Sequence, residues 1–403
     1  MAKPEIRLKG FEGEWEVVKL SSIANRITRK NSHLESTLPL TISAAKGLIE
    51  QTSFFNNVVA SSNVSGYYLV KNGEFAYNKS YSSGYPFGAV KRLDRYEKGV
   101  LSTLYIVFSI DEKVSSDYIV QFFETSLWHQ EVAKRAAEGA RNHGLLNIGA
   151  DDFLDIDINL PKRKVEQQQI ASFFTCLDKQ ISLQEQRLEK LKQMKSACLV
   201  SMFPQAGETT PRVRFKGFEG EWMKECAGHL FITFNERNRP DLPVLSANQD
   251  IRGMAPRNDI GYQISHNRSN EVTYKVVQPG QFIIHLRSFQ GGFAHSSVEG
   301  ITSPAYTVFG FKNSCEHDDY FWKIIFMSKE FIKRLETITY GIRDGKSISF
   351  AEFSEMKFLF PSKEEQQCIA SYFRSLDKQI SLQEQRLEKL KQIKAACLDK
   401  MFV

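Results

Sequence analysis

One stretch of the sequence comes near a nucleotide-binding motif. It reads Gly341-Ile-Arg-Asp-Gly-Lys-Ser347. A phosphate-binding loop needs four residues between its two glycines, and it must lead into a helix. Here three residues separate the glycines, and an alternating strand pattern follows. We therefore predict that this stretch does not bind a nucleoside triphosphate.

Four carboxylates near the end of the first half of the chain suggest metal-dependent nuclease chemistry. Asp151, Asp152, Asp155 and Asp157 precede Lys162. Their alternation along a strand pattern is also typical of residues that face solvent. The second half replaces them with Glu352, Ser354, Glu355 and Lys357. A nuclease that acts on its own is therefore kept only as an alternative hypothesis.

The other sequence patterns of enzymes are missing. No G-x-G-x-x-G follows a strand pattern, and there is no G-x-S-x-G and no Asn/Asp-Pro-Pro-aromatic tetrapeptide of the kind that adenine methyltransferases use. The eight histidines form no H-E-x-x-H or H-x-x-x-H pair. We predict a protein without catalytic residues and without a metal site, whose function is recognition.

An internal duplication organises the chain. Residues 4–15 return as residues 211–222, both with the pattern Gly-Phe-Glu-Gly-Glu-Trp. Residues 166–203 return as residues 365–402, with 30 of 38 positions identical. Between these repeated segments the two halves differ in sequence and in length. The duplication predicts two divergent globular halves, each followed by a nearly identical helix.

The divergent halves share a skeleton of predicted elements. Each closes with alternating apolar residues and a proline, at residues 156–161 and 356–361, which predicts a strand that ends at the proline. Each also has a helix pattern after an acidic residue, over residues 117–138 and 319–339. The predicted boundaries are residues 1–165 for the first domain, 166–203 for the first helix, 204–210 for a linker, 211–363 for the second domain and 364–403 for the second helix.

The repeated helices have the periodicity of a coiled coil. Apolar residues recur at alternating spacings of three and four over about five heptads, which predicts a seam that pairs with another helix. The partner could be the other helix of the same chain, a copy in a second chain, or a different protein. An antiparallel pair within the chain would relate the two halves by a pseudo-two-fold axis. The predicted helix-pairing residues are Phe174, Leu177, Ile181, Leu188, Leu191, Phe373, Leu376, Ile380, Leu387 and Leu390.

Polar residues suited to DNA contact lie in the divergent loops. Arg, Asn, Gln and Lys side chains read base edges, whereas Ser, Tyr and Lys contact phosphates. The same residue types are also common on ordinary protein surfaces. The candidate DNA-binding residues are Lys79, Tyr81, Ser82, Arg92, Arg141, Asn142, His143, Arg268, Arg287, Ser288, Gln290, Arg343, Asp344 and Lys346.

The bulk composition is that of a soluble protein with ordinary cores. A length of 403 residues suits two or three domains, and a net charge of +6 permits nucleic-acid binding without requiring it. The sequence has no run of eighteen apolar residues, so it predicts no membrane-spanning helix. Its first residues lack the apolar core of a signal peptide. The six cysteines form no C-x-x-C pair. We predict a cytoplasmic protein with reduced thiols that does not contact a membrane.

The repeated motifs resemble those of the specificity subunit of bacterial type I restriction-modification enzymes. Each half opens with Pro-x-hydrophobic-Arg-hydrophobic-x-Gly-Phe-x-Gly-x-Trp and closes with Glu-Gln-Gln-x-Ile-Ala, Leu-Asp-x-x-Ile and a long helix. The resemblance covers essentially the whole chain. It implies an α+β protein with two α/β target recognition domains, joined by two long antiparallel coiled-coil helices in a pseudo-two-fold duplicated arrangement. Each domain would read one half of a bipartite DNA site, and the helices would set the spacing.

The resemblance also implies partners and cofactors. Two modification subunits, which bind S-adenosylmethionine and methylate adenine, would dock on the helices. Two restriction subunits, which use ATP and Mg²⁺, would join them. The chain itself would bind double-stranded DNA, hold no cofactor and lack catalytic residues. The alternative is a coiled-coil scaffold whose halves bind proteins without DNA specificity.

Overall fold

The structure is a computed structural model, and it divides the chain into two compact units. One consists of Met1–Glu185 with Gln385–Val403, and the other of Gln186–Glu384. Each unit contains one globular half, the beginning of the long helix that follows it and the end of the other long helix. The described residues are 3–43, 46–55, 61, 63–80, 84–136, 146–248, 253–257, 268–285, 292–338 and 348–403, without the side chains of 268, 269 and 336–338.

The first unit alternates short strands and short helices before its long helix. Its elements are β1 (Glu16–Lys19), α1 (Leu20–Ile23), β2 (Ala24–Ile27), β3 (Leu40–Ser43), β4 (Gly47–Glu50), α2 (Thr52–Phe55), β5 (Tyr68–Lys71), β6 (Phe75–Asn78), β7 (Ala89–Arg92), β8 (Lys98–Leu101), β9 (Ile106–Ile110), α3 (Ser116–Phe122), α4 (Leu127–Arg135), α5 (Ala150–Leu154), β10 (Asp157–Leu160) and α6 (Lys164–Ser201).

A four-stranded antiparallel sheet, in the order β2-β9-β6-β7, forms the centre of the first unit. Three further strand pairs surround it: β1 with β10, β3 with β4, and β5 with β8. Aromatic rings fill the space between this sheet and the helices. Tyr77 of β6 stacks on Phe153 of α5 with ring centroids 4.2 Å apart, and Trp128 of α4 meets Tyr77 edge-on. The sheet and the three short helices α3, α4 and α5 therefore share one core.

The second unit repeats this order of elements. They are β11 (Met223–Cys226), α7 (Ala227–Leu230), β12 (Phe231–Phe234), β13 (Leu245–Asn248), β14 (Gly253–Pro256), a 3₁₀ helix (Arg268–Thr273), β15 (Lys275–Val277), β16 (Phe282–Ile284), β17 (Phe293–His295), β18 (Gly300–Thr302), β19 (Thr307–Phe311), a 3₁₀ turn (Ser314–Glu316), α8 (Asp319–Phe326), α9 (Lys329–Ile338), α10 (Phe350–Ser354), β20 (Lys357–Phe360) and α11 (Lys363–Met401).

The central sheet of the second unit has six strands, in the order β12-β19-β16-β17-β14-β13. It is larger than its counterpart because β14 pairs with β17 in parallel, through Gly253 and His295. The core is again aromatic, with the ring of Phe231 5.1 Å from Trp322 and 5.5 Å from Phe309. The two units thus build the same core from different residues.

The strands predicted before the two prolines are confirmed. β10 ends at Leu160 and β20 at Phe360, and each pairs antiparallel with the first strand of its unit. Pro161 and Pro361 are buried directly after them. A proline that follows a strand cannot extend the ladder, since it has no N–H group to donate.

The single helix predicted over residues 117–138 is wrong, because the structure has two helices there. Thr125 Oγ1 donates to the carbonyl of Phe122 at 2.7 Å, and the indole of Trp128 donates to the carbonyl of Phe123 at 3.2 Å. These side chains occupy carbonyls that a continuous helix would pair with its own N–H groups. α3 therefore ends at Phe122, and α4 begins at Leu127.

The single helix predicted over residues 319–339 is wrong for a similar reason. The N–H of Ser328 donates to Ile325 three residues back, and Ser328 Oγ then accepts from the N–H of Phe331 at 3.1 Å. Ser328 thus caps a new helix, since its side chain satisfies a donor of the first turn. α8 ends at Phe326, and α9 begins at Lys329.

In each unit, the beginning of one long helix runs antiparallel to the end of the other. In the first unit Lys394 Nζ lies 2.6 Å from Asp178 Oδ1, and Lys391 Nζ lies 2.7 Å from Glu185 Oε1. From Asp178 to Glu185 the residue numbers rise along α6, whereas those of the paired lysines on α11 fall from 394 to 391, as antiparallel pairing requires. In the second unit Lys195 pairs with Asp377, and Lys192 with Glu384.

The residues of the predicted seam are the less exposed ones along both helices. Phe174, Leu177, Phe373 and Leu376 are buried in the cores of their units. The remaining six are half-buried: Ile181, Leu188, Leu191, Ile380, Leu387 and Leu390.

Candidate nucleic-acid interface

Two of the predicted DNA-binding side chains, Lys79 and Arg92, lie among the described residues. Arg268 begins the 3₁₀ helix Arg268–Thr273, and only its backbone is described. The other predicted residues lie outside the described residues, and their contact with DNA stays a prediction. They are Tyr81, Ser82, Arg141, Asn142, His143, Arg287, Ser288, Gln290, Arg343, Asp344 and Lys346.

Lys79 joins two segments that are distant along the chain. It directly follows β6, and its carbonyl accepts from the N–H of Leu146 at 3.0 Å. Its Nζ donates to the carbonyl of Ile148 at 3.2 Å. The predicted DNA-binding residues 81–82 and 141–143 therefore belong to segments that start or end at this junction. The ammonium group of Lys79 already has an internal hydrogen bond.

The base of the β6–β7 connection is held tightly. The hydroxyl of Tyr77 donates to the carbonyl of Phe87 at 2.8 Å. Gly88 has a φ of +78°, and a Cβ atom there would lie 2.0 Å from the carbonyl oxygen of Asn78. Only glycine fits both restrictions. The buried core thus fixes where this predicted recognition segment leaves the sheet.

The second unit holds its predicted segments in a similar way. The N–H of His285, after β16, donates to the carbonyl of Gly292, before β17, at 2.8 Å. The ring of Phe293 then lies 5.0 Å from Phe331 of α9 and 5.3 Å from Phe353 of α10. Residues 343–346 connect α9 to α10. Both groups of predicted DNA-binding residues therefore leave the same aromatic core.

Arg92 is already paired with carboxylates. Its guanidinium contacts Asp94 at 2.6 Å and Asp117 at 2.7 Å, and it donates to Ser116 Oγ at 2.9 Å. The corresponding residue of the second unit is His295, whose Nε2 lies 2.6 Å from Asp319 Oδ2. Both contacts tie the central sheet to the start of a helix. The sequence did not reveal this role, because the helix residues Ser116 and Asp319 are each 24 positions from their partners in the sheet. A DNA contact by Arg92 stays a prediction.

The four carboxylates considered for a nuclease have other partners. Asp155 lies 3.2 Å from Arg135 and 3.4 Å from Lys19, and Asp157 lies 2.8 Å from Lys19. Asp151 pairs with Arg26 at 3.5 Å, and Asp152 accepts from the N–H of Gly149. Within the described ranges, no group of three His, Cys, Asp or Glu side chains is arranged to hold a metal ion. These carboxylates thus act in surface ion pairs and a helix cap.

The paired long helices have two unlike sides. The ion pairs between the helices occupy one side of the seam. On the other side, Leu183 and Ile393 of the first unit are 46% and 40% exposed. Because Glu185 pairs with Lys391, antiparallel register places Leu183 level with Ile393. The second unit repeats this exposed pair with Met194 and Leu382, 41% and 54% exposed.

Basic residues accompany each exposed apolar pair. They are Arg386 and Lys389 in the first unit and Arg187 and Lys190 in the second, all exposed. None of the four forms an ion pair with another described residue. Together with the apolar pairs, these residues define what we term the basic-apolar surface of the helices: Leu183, Arg386, Lys389 and Ile393 in the first unit, and Arg187, Lys190, Met194 and Leu382 in the second.

The family of type I restriction modification DNA specificity domains matches residues 12–193 and again residues 224–392. A comparison with curated protein sequences gives no significant match. None of the helices in the described part of the chain is long and apolar enough to span a membrane.

Two solved structures share the fold. The S subunit of a type I restriction-modification system from M. genitalium aligns over 100% of this chain and 99% of its own, with a TM-score of 0.60 and 14% identity. A chain from a study of assembly and conformational transition of the type I R-M system aligns over 96% of this chain and 97% of its own, with a TM-score of 0.50 and 14% identity. The two matches to the family model, which cover most of the sequence, show that the chain belongs to the type I restriction-modification specificity family and contains two DNA specificity domains.

Proposed function

We propose that each of the two domains reads one half of a bipartite DNA site. The observation that carries the proposal is that the chain has two DNA specificity domains, with one framework and different connecting segments. Between the strands of the central hairpin, ten residues (79–88) follow β6, whereas eight (285–292) follow β16. Different half-sites need different donors and acceptors at the base edges. A shared framework with unlike segments meets this need.

The long helices would set the distance between the two half-sites. In each unit, residues of one helix are locked to the other by ion pairs at fixed register. A rigid helix has a length of about 1.5 Å per residue. The gap between the half-sites then depends on helix length, and it stays constant when the recognition segments change.

The basic-apolar surface would dock the modification subunits. Each unit exposes two apolar residues beside an arginine and a lysine that have no partner in the described part of the chain. An amphipathic helix with apolar residues flanked by Asp and Glu is complementary to this surface. Because the surface occurs once in each unit, we expect two modification subunits.

The chemistry of the complex would come from its other subunits. The modification subunits would bind S-adenosylmethionine and methylate adenine, and two restriction subunits would use ATP and Mg²⁺. This chain would contribute double-stranded DNA recognition in the cytoplasm, without a cofactor and without catalytic residues of its own.

Mapping of methylated adenines in cells with and without the gene tests the proposed function. We expect one bipartite methylated motif that disappears with the gene. The matched strain carries the chain with Leu188→Asp in the helical seam, which should also lose the motif. A methylation pattern that does not depend on the gene would contradict the proposal.

A further inference from the structure

Two cations stand opposite each other at the edge of the smaller sheet of the second unit. Arg237 and Lys275 form an antiparallel bridge, and the next N–H, of Val276, donates to the carbonyl of Glu236 at 2.8 Å. Lys275 is half-buried and begins β15, whereas Arg237 is exposed. Like charges directly opposite on neighbouring strands destabilise a sheet. The juxtaposition of these two charges therefore does not stabilise the pairing of the strands.

At the corresponding bridge of the first unit, only one of the two residues is a cation. There Lys30 bridges Tyr68, which begins β5, the strand that corresponds to β15. The ammonium of Lys30 lies 4.3 Å from the centre of the Tyr68 ring, a favourable cation–π distance. The fold is thus compatible with an aromatic residue at the position of Lys275. Only the second unit has a cation on both strands of this bridge.

No carboxylate among the described residues neutralises the two cations. The guanidinium of Arg237 donates to Asn235 Oδ1 at 3.2 and 3.1 Å, and Lys275 Nζ donates to the carbonyl of Tyr306 at 2.6 Å. Burial and the nearby charge of Arg237 lower the pKa of Lys275. In the described part of the chain, the hydrogen-bond acceptors of both cations are therefore neutral.

The pair is also linked, through Tyr306, to the residue at which a predicted recognition segment begins. The residue that holds Lys275, Tyr306, has its ring 6.1 Å from His285, where the segment with Arg287, Ser288 and Gln290 begins. A third cation contacts the residue that precedes Lys275: the guanidinium of Arg257 lies 6.0 Å from the ring of Tyr274. Its Nη1 is buried and has no hydrogen-bond partner within the described residues.

We propose that Arg237 and Lys275 together bind a backbone phosphate of the DNA next to the half-site read by the second domain. The proposal rests on the proposed function and adds a contact that the sequence did not suggest. A phosphate placed between the two cations would turn their repulsion into attraction. Such a contact positions the protein on the duplex and carries no sequence information. The first unit would make the equivalent contact through Lys30 alone.

The test compares DNA binding by the complete complex with modification subunits at several salt concentrations. The probe is a duplex that carries the motif found by methylation mapping. Lys275→Tyr installs the residue of the first unit, and Arg237→Gln removes the other charge. For each variant, the slope of log K against log salt should become shallower by about 1, as expected for one lost phosphate contact. The preferred motif should not change.

Controls separate this contact from other effects. Lys329→Met removes an exposed lysine of α9 and should leave the slope unchanged. Lys275→Tyr should not lower the melting temperature of the free chain, because the repulsion is gone. An unchanged slope for both Lys275→Tyr and Arg237→Gln, with specific binding retained, overturns the phosphate contact alone. A wild-type complex that binds all duplexes equally overturns the proposed function as well.

Discussion

The guanidinium of Arg7 forms a two-point ion pair with the carboxylate of Glu166, with Nε–Oε1 and Nη2–Oε2 distances of 2.7 and 2.9 Å. Arg7 also donates to the carbonyl of Gly13, and the indole of Trp15 donates to Glu166 Oε1 at 3.2 Å. The opening motif of the unit is thus fastened to the first turn of α6. This explains why the Arg, Gly and Trp of the motif recur together with a glutamate far along the chain.

The second unit repeats the pair with Arg214 and Glu365, at 2.6 Å for both contacts. The glutamine that follows each glutamate has its own role. In the first unit, Gln167 accepts from the N–H of Ser115 and donates to the carbonyl of Pro161, both at 2.8 Å. The repeated Glu-Gln pair therefore joins the opening segment, the start of α3 and the last strand to the long helix.

Removal of one member of the Arg7–Glu166 pair should destabilise the first unit. Glu166→Gln removes the counter-charge of the half-buried Arg7 side chain, which is 12% exposed, at a position that is only 2% exposed. We expect a loss of about 1–3 kcal/mol, as for a hydrogen bond to a charged group. Hydrogen exchange should rise in the peptides of the first unit and not in those of the second. The double variant Arg7→Met with Glu166→Met should recover part of the loss; equal instability of single and double variants would contradict the ion-pair explanation.

The last residues of the chain should stabilise the first unit rather than the second. Phe402 is buried, with its ring 5.3 Å from Tyr118 and 5.7 Å from Phe174. Phe203 has the corresponding place in the second unit, 5.7 Å from Phe321. Phe402→Ala should cost about 3–5 kcal/mol, the usual range for a buried phenylalanine.

The matched variant Phe203→Ala distinguishes the two units. Hydrogen exchange after Phe402→Ala should increase in residues 106–123, and after Phe203→Ala in residues 307–326. Faster exchange in the second unit after Phe402→Ala would show that the end of α11 stabilises the second unit instead and would contradict this prediction.

Local patterns in the sequence predicted the elements that depend on nearby residues. The heptad spacing predicted both long helices, and the apolar alternation before Pro161 and Pro361 predicted β10 and β20. The breaks at Thr125 and Ser328 were missed, because they depend on side chains that bind backbone groups and not on the apolar pattern. In each case the hydrogen bonds of a few residues decide where the helix stops.

Contacts between distant residues could not be predicted in the same way. Arg7 and Glu166 are 159 positions apart, and no local pattern shows which charge a side chain meets. Arg92 was predicted to contact DNA from its residue type, and its ion pair with the more distant Asp117 was not predicted. The pairing of Arg237 with Lys275 was missed for the same reason, since it follows from the register of two strands.

A charge placed on the basic-apolar surface should prevent docking of the modification subunit without unfolding the chain. Leu183→Glu or Ile393→Glu puts a carboxylate where we propose that the partner contributes apolar and acidic groups. Binding to the modification subunit, measured by calorimetry, should weaken at least tenfold. The control is Val200→Glu, another exposed apolar residue of α6 that lies outside this surface. Equal affinity for Leu183→Glu, Ile393→Glu and the wild type would exclude this surface as the docking site.

Replacement of the buried glutamine of the helical seam should stabilise the first unit. Gln184 is 5% exposed, and its Oε1 has no hydrogen-bond partner among the described residues. A buried polar group without a partner costs about 1–3 kcal/mol. Gln184→Leu should therefore raise the melting temperature, whereas Gln193→Leu, at an exposed position of the same helix, should not. A lower melting temperature for Gln184→Leu would contradict the prediction that the unpaired amide destabilises the seam.

The most direct test that the two domains read separate half-sites is a chain that carries the second domain twice. Residues 16–160 are replaced by a second copy of residues 223–360, which begin and end at the corresponding strand pairs, and methylated adenines are mapped in cells. We predict that one half of the original motif is retained, that the other half becomes its inverted copy, and that the gap is unchanged. A motif that stays as it was, or one in which both halves change, would contradict the account.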